Sequence, residues 1–280
     1  MAREFKVLSG LKGLYDLAPQ PVLFCEDERV IGAPFYLMER VSGIILRNKI
    51  PANMDLKQAD FTMLSEQLID NLARIHQLNI NNTTLAIFGK PEGYVKRQVE
   101  GWIKRYFNAE TEVISQMNAT AVWLQDNQPA QNNTCFIHND YKYDNIILNP
   151  DDLSIKAVLD WEMATVGDPL MDLGTTLAFW AEPDDSQVLK PFNLTWLPGN
   201  LNRQQVAEHY SNLTGADLNY LVFYYVFGSF KIAVVAQQIY TRYRQGLTKD
   251  PRFANLIHVI KACANNMDCA IRFNRINNFY

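Results

Sequence analysis

Apolar positions in this chain fall into two rhythms, a three-to-four-residue repeat and short unbroken runs, and their alternation outlines the fold. Phe5, Leu8, Leu11 and Leu14 recur at near-helical spacing, so the chain starts in or just before a helix. Between Pro21 and Gly43, two apolar runs flank the polar Glu26-Asp27-Glu28-Arg29 and predict a strand pair. Pro34 favours extended backbone at the start of the second run. After Pro51 the helical rhythm returns. Leu64, Leu68, Leu72 and Ile75 form one face of a helix ending near His76, and Val95, Val99, Trp102, Ile103 and Tyr106 form a second. Val113, Met117, Ala121 and Leu124 predict a third.

The texture then shifts to the short runs "TCFIH", "NIILN" and "IKAVLD". The turn signal "NPDD" between the last two predicts a hairpin. In "GDP", Asp168 has the chemistry of an N-cap and Pro169 that of a first helical residue. From about Asp172 onward the pattern is mostly helical, with a loop containing Pro and Trp between Pro183 and Pro198. The most apolar stretch, Tyr220 to Tyr240, contains Gly, Ser, Lys and two Gln and reads as a buried core helix rather than a membrane span. No internal repeat is visible.

Composition sharpens this outline. With 280 residues, 48% hydrophobic and 20% charged, the chain can form one large domain or two modest lobes around a substantial core. A formal net charge of -4 gives no general electrostatic reason to expect nucleic acid or an anionic membrane as partner. The 4 cysteines include no CxxC pair, which fits a reduced, cytoplasmic setting, and the start lacks the apolar run of a signal peptide. Cys135 and His138 have CxxH spacing, but no second pair follows, so a zinc site is not expected.

The chemistry concentrates in "FIHNDYKYDN", Phe136 to Asn145. Asp140 follows His138 by two positions, Asn145 follows Asp140 by five, and Asp160 ends an apolar strand twenty after Asp140. A hairpin between them returns Asp160 to the loop. This set suits phosphoryl transfer, where one carboxylate orients a hydroxyl and accepts its proton. A second carboxylate and an amide oxygen can hold Mg²⁺, and a nearby Lys offsets charge on the moving group.

"HNDYKYDN" resembles the catalytic loop of protein kinases, and is closer still to that of the aminoglycoside phosphotransferase and choline kinase-like family. "VLDWEMATVGDPLMDLG" resembles the segment after that loop, and "LMERVSG" resembles the hinge between kinase lobes. The match is nearest to the kinase-like domain fused to some acyl-CoA dehydrogenases and reaches about Phe253. The resemblance implies Asp140 as catalytic base, Lys142 beside the γ-phosphate, and Asn145 and Asp160 as Mg²⁺ ligands. It implies His138 and Asp172 as structural supports, and the backbone of Glu39 and Val41 as the adenine site. Glu4 falls where the family's helix Glu stands. Only three residues precede Glu4, so the family's phosphate-covering loop and strand Lys are missing from the chain as given.

The expectation is thus an α+β, protein-kinase-like fold with a truncated N-terminal lobe and a large, mainly helical C-terminal lobe. Residues 1–43 are its N-terminal remnant and hinge, and residues 44–280 the catalytic lobe. The bared Phe5/Leu8/Leu11 helix is expected to be under-covered and to invite self-association. The implied function is Mg²⁺-dependent transfer of the ATP γ-phosphoryl group to a small-molecule hydroxyl, with a hydroxyacyl compound favoured over an aminoglycoside by the dehydrogenase association. Three alternatives stand beside it: a pseudokinase-like binding module, an inactive truncated product lacking the phosphate-covering loop, and metal-dependent hydrolysis by Asp140 and Asp160. His76 reads as a helix-end packing residue. Lys231, Arg242, Arg244 and Lys249 read as a solvated basic face in preference to a basic substrate-side patch, and Glu162 as either a support for the metal ligands or a solvated acid.

Overall fold

The structure is a computed structural model describing residues 1–52, 54–130 and 133–279. Helix α1 (Ala2–Leu11) is amphipathic and buries Val7, Leu8 and Leu11. Strands β1 (Pro21–Cys25) and β2 (Phe35–Met38) pair antiparallel, as the flanked polar turn predicts. Helix α1 is not left bare, contrary to expectation. It lies across the turn at Trp161 and the turn at Leu85, and Phe5 stacks on Phe24 with ring centroids 5.5 Å apart. Burial of three aliphatic side chains attaches this helix to the larger part by roughly 5 kcal/mol. The apolar surface open at this end belongs instead to the hairpin and its loop, at Val22, Leu23, Val30, Ile31 and Leu37. Leu14 lies beyond the helix and is exposed.

Three helices follow: α2 (Gln58–His76), α3 (Tyr94–Ala109) and α4 (Ser115–Asp126). Their buried faces are those predicted, except that Val113 precedes α4 and is 77% exposed. Strand β3 (Cys135–Ile137) leads into the polar loop, and β4 (Ile146–Leu148) leaves it. Strand β4 forms the expected hairpin with β5 (Ile155–Val158). Strand β3 pairs with β6 (Thr165–Gly167), a strand not expected from the sequence. The two pairings are nested, so the loop between β3 and β4 lies beside the turn between β5 and β6.

Helix α5 (Pro169–Phe179) begins as predicted, with Asp168 accepting a hydrogen bond from Leu170 N at 2.8 Å. Then come α6 (Arg203–Thr214), α7 (Leu221–Arg244) and α8 (Leu256–Phe273). Among the described residues α7 alone is long and apolar enough to cross a membrane, and 78% of its most apolar window is buried inside the protein. Helices α5 and α7 touch backbone to backbone. A Cβ on Gly228 would stand 2.6 Å from the Gly174 carbonyl carbon, so glycine is required at this crossing. One continuous core runs from α1 to α8.

Candidate active site

The loop after β3 is held from beneath by one buried carboxylate. Asp172, on α5 and fully buried, accepts from His138 N at 2.7 Å and from Asn139 N at 2.8 Å. His76, at the end of α2, donates from Nε2 to Asp172 at 3.1 Å, and its Nδ1 lies 2.7 Å from the Tyr210 hydroxyl. Burial would raise the Asp172 pKa, but the His76 hydrogen bond and charge, with the His138 contacts, outweigh it and hold the carboxyl low. His76 is therefore more than a packing residue: it supports the anchor of the loop. Sequence spacing did not pair it with Asp172, because the two are 96 positions apart.

His138 is fully buried, and burial lowers its pKa, so the ring is neutral. Its hydrogen bonds fix the tautomer: Nε2 donates to Leu159 O at 2.9 Å, while Nδ1 accepts from Asp140 N at 3.2 Å. The ring also packs on Trp161, with centroids 4.6 Å apart. Asn139, between these groups, adopts φ 70°, a left-handed conformation that Asn tolerates better than most side chains.

Asp140 rises from this base. Lys142 Nζ donates to both of its carboxylate oxygens at 2.8 Å and lies over the Phe179 ring, 4.4 Å from the centroid. Asn145 donates from Nδ2 to the Asp140 carbonyl at 2.8 Å and to its carboxylate at 3.0 Å. Leu159 N donates to Asn145 O at 2.8 Å, which places Asp160 beside Asn145. Asp160 also adopts a left-handed backbone, φ 66°. For a non-glycine residue this conformation costs of order 1 kcal/mol and clusters at functional sites. Partial burial raises the Asp160 pKa, and the charges of Asp140 and Glu162 add to the effect.

These oxygens fit a hard divalent cation. Asn145 commits its amide nitrogen to Asp140, and its Oδ1 accepts no hydrogen bond among the described residues. The elevated Asp160 carboxyl is the electrostatic state that a nearby cation relieves. Among the described residues no group of three or more His, Cys, Asp or Glu could hold a metal alone. Magnesium sites of the phosphate-handling kind take their remaining ligands from water and substrate.

The other expected residues belong to α1 and to the segment that follows β2. Glu39 N donates to Gln20 O at 2.8 Å and extends the β1–β2 pairing, leaving its carbonyl and the Val41 N–H without a backbone partner among the described residues. Ile44 and Leu148 exchange backbone hydrogen bonds at 2.9 and 2.8 Å, so the segment after Val41 runs against β4. Glu4 faces the Tyr36 hydroxyl; burial raises that hydroxyl's pKa, and the hydrogen bond and charge of Glu4, then Asp160 and Glu162, raise it further. The structure shows no hydrogen bond from Glu4, Glu39 or Val41 to the loop itself.

On the far side of Asp140 opens a cavity of about 330 Å³ lined by Trp102, Asn139, Asp140, Lys142, Phe179 and Lys231, among others. Lys231 is thus not on a solvated face. It is 8% exposed, donates from Nζ to Asn139 O at 2.6 Å, and lies 5.8 Å from the Trp102 ring centroid. A cue was present: Lys231 sits inside a continuous apolar helix, where a lysine must be buried or reach outward.

A two-stranded hairpin and short helix above a mainly helical body, a clasped Asp-x-Lys-x-x-Asn loop, and an acid in left-handed conformation beyond a hairpin define a protein-kinase-like phosphotransferase architecture. The chain belongs to the phosphotransferase enzyme family, whose profile matches residues 1–209. It is 34% identical over 262 residues to acyl-CoA dehydrogenase family member 11 of Homo sapiens, covering 91% of this chain but spanning only about a third (33%) of that relative. A solved Ralstonia eutropha protein, provisionally described as an aminoglycoside phosphotransferase, superimposes with TM-score 0.82 at 30% identity, covering 94% of this chain and 80% of that one. The Plasmodium vivax ethanolamine kinase shares the fold, with TM-score 0.62 at 14% identity over 98% of this chain and 74% of its own.

Proposed function

We propose that the chain transfers the γ-phosphoryl group of ATP to a hydroxyl of a small molecule in a Mg²⁺-dependent reaction. One observation carries the reading: a single carboxylate, Asp140, stands between an apolar cavity and the Asn145–Asp160 oxygen pair. Asp140 accepts the hydroxyl proton as the acceptor oxygen bonds to the γ-phosphorus. The bond from that phosphorus to its bridging oxygen breaks, and the electron pair leaves with ADP. Lys142 sits on the Asp140 carboxylate, within the chain's reach of the transferred charge. Asn145 and Asp160 would hold Mg²⁺, which neutralises phosphate charge. The Glu39 carbonyl and Val41 N–H would receive the adenine edge, with Glu4 contributing an acid on the nucleotide side. His138 and Asp172 hold the loop rather than react.

The cavity walls include Phe179, Phe192, Ile232 and Val235, which support an acceptor with an aliphatic body, such as a hydroxyacyl compound, over a polycationic aminoglycoside. The test is ADP formation from Mg·ATP with hydroxyalkanoyl and aminoglycoside acceptors. Asp140→Ala should lower turnover by about 10²–10⁴-fold with the fold retained. Unchanged turnover removes Asp140 as base. Absence of Mg·ATP binding by calorimetry, both to this chain and to an upstream-extended version, supports the binding-module alternative instead.

A further inference from the structure

Lys231 is the most unusual charged group outside the catalytic loop. Its side chain is more than nine-tenths buried and lines the cavity beside Asp140. An ammonium carries three N–H donors. Among the described residues only Asn139 O accepts from it, and no carboxylate lies within ion-pair distance. Two donors are therefore unmatched inside a largely apolar cavity. Burial lowers the Lys231 pKa to about 8, with Asp140 and Asp172 opposing that shift and Lys142 adding to it.

The rest of the lining has the complementary character. Phe179, Phe192, Ile232, Val235 and Ile239 are apolar, and Asp140 is the one acid among the residues that line the cavity. Both of its oxygens already accept from Lys142. A molecule entering from the acceptor side meets an apolar wall and unfilled cationic donors, with no free carboxylate. Bringing a further cation here repeats the unfavourable desolvation that Lys231 already bears, while an anionic oxygen relieves it.

We propose that Lys231 is the specificity-determining residue of this cavity: it binds a negatively charged oxygen group carried on an aliphatic alcohol, and it excludes cationic acceptors. The proposal rests on the cavity being the acceptor site. The recognised chemistry is an anionic oxygen, supplied by a carboxylate or by a phosphate ester. Lys231 acts on selection and orientation, while Asp140 handles the proton.

The test uses octyl-chain probes without ATP, so its result stands apart from turnover. Octanoate, octyl phosphate, octanol and octyltrimethylammonium are titrated calorimetrically into the wild-type chain, Lys231→Met and Lys231→Arg. One anionic probe should bind the wild type at least about tenfold tighter than octanol, the scale of a charge-assisted hydrogen bond. Whichever anion binds tighter identifies the source. Lys231→Met should erase that preference while leaving octanol affinity unchanged, Lys231→Arg should restore part of it, and the ammonium probe should bind only Lys231→Met. Should Lys231→Met fail to fold, the charge series on wild type and Lys231→Arg still decides. Equal affinity for anion and octanol, or wild-type binding of the ammonium probe as tight as the anion, overturns the proposal. Anion selectivity in a chain that forms no ADP with any acceptor would sustain this inference and sink the phosphotransferase reading.

Discussion

Asp172 and Lys231 grip the same residue from two different helices. Asp172 accepts from Asn139 N at 2.8 Å, and Lys231 donates to Asn139 O at 2.6 Å. The residue before Asp140 is thus held at both of its backbone polar groups. Its position depends on how closely α5 and α7 approach, which Gly174 and Gly228 set.

Gly228→Ala should separate these helices. The added Cβ would stand 2.6 Å from the Gly174 carbonyl carbon and 2.8 Å from Thr175 N, both backbone atoms that cannot rotate away. The cost should be about 1–3 kcal/mol. Thermal unfolding should show a lower Tm and turnover should fall with it. An unchanged Tm would mean that the crossing relaxes freely.

Asp172→Ala leaves two backbone N–H groups and His76 without their acceptor in a fully buried site. The loss should be about 3–5 kcal/mol. Denaturant unfolding should show a lower midpoint at an unchanged m-value. Asp172→Asn should be milder, but its amide would turn one donor against another.

His138 should make the fold acid-sensitive. Its folded pKa lies below the ordinary value near 6.5, so above that value neither state binds the proton. As pH falls through and below about 6.5, the unfolded chain takes up a proton that the buried ring resists, and stability drops. The wild-type stability slope between about pH 6.5 and 5 should exceed that of His138→Asn. Asp172, held low, contributes stability present above about pH 3.9 and lost as pH falls through its folded pKa, a window distinct from the histidine's.

Lys231 should act in the same sense on the alkaline side. Its folded pKa is about 8, below the ordinary lysine value, so the penalty of holding its charge is present in full at lower pH. Between about pH 8 and 10.4 the folded chain has released the proton and the unfolded chain has not, so stability contributed by this group rises with pH. Wild-type stability minus that of Lys231→Met should therefore increase across this window. A flat difference would place the ammonium in a wetter setting.

Asp160→Asn should separate function from stability. It removes a carboxylate raised by burial and by its neighbours Asp140 and Glu162, so Tm in metal-free buffer should equal or exceed wild type. Mg²⁺-dependent nucleotide binding should weaken in the same variant. If calorimetry shows the magnesium effect intact, Asp160 is not a ligand.

Much of the site was legible in the chain. "HNDYKYDN" placed Asp140, Lys142 and Asn145 within one loop, "NPDD" announced the hairpin that returns Asp160, and "GDP" marked the helix that brings Asp172. Those features are local: periodicity and turn chemistry act over a few residues, so a single sequence records them. The partner of β3, the cover over α1, the His76–Asp172 bond and the inward course of Lys231 were not legible. They join residues as far apart as the 92 positions between Asn139 and Lys231. Sequence by itself determined which helix faces are apolar and which residue types crowd the loop. Tertiary structure alone decided that α5 and α7 meet at glycines, so that a lysine in an apolar helix reaches the loop before Asp140 instead of water; that outcome depends on packing across the core, which no local pattern encodes.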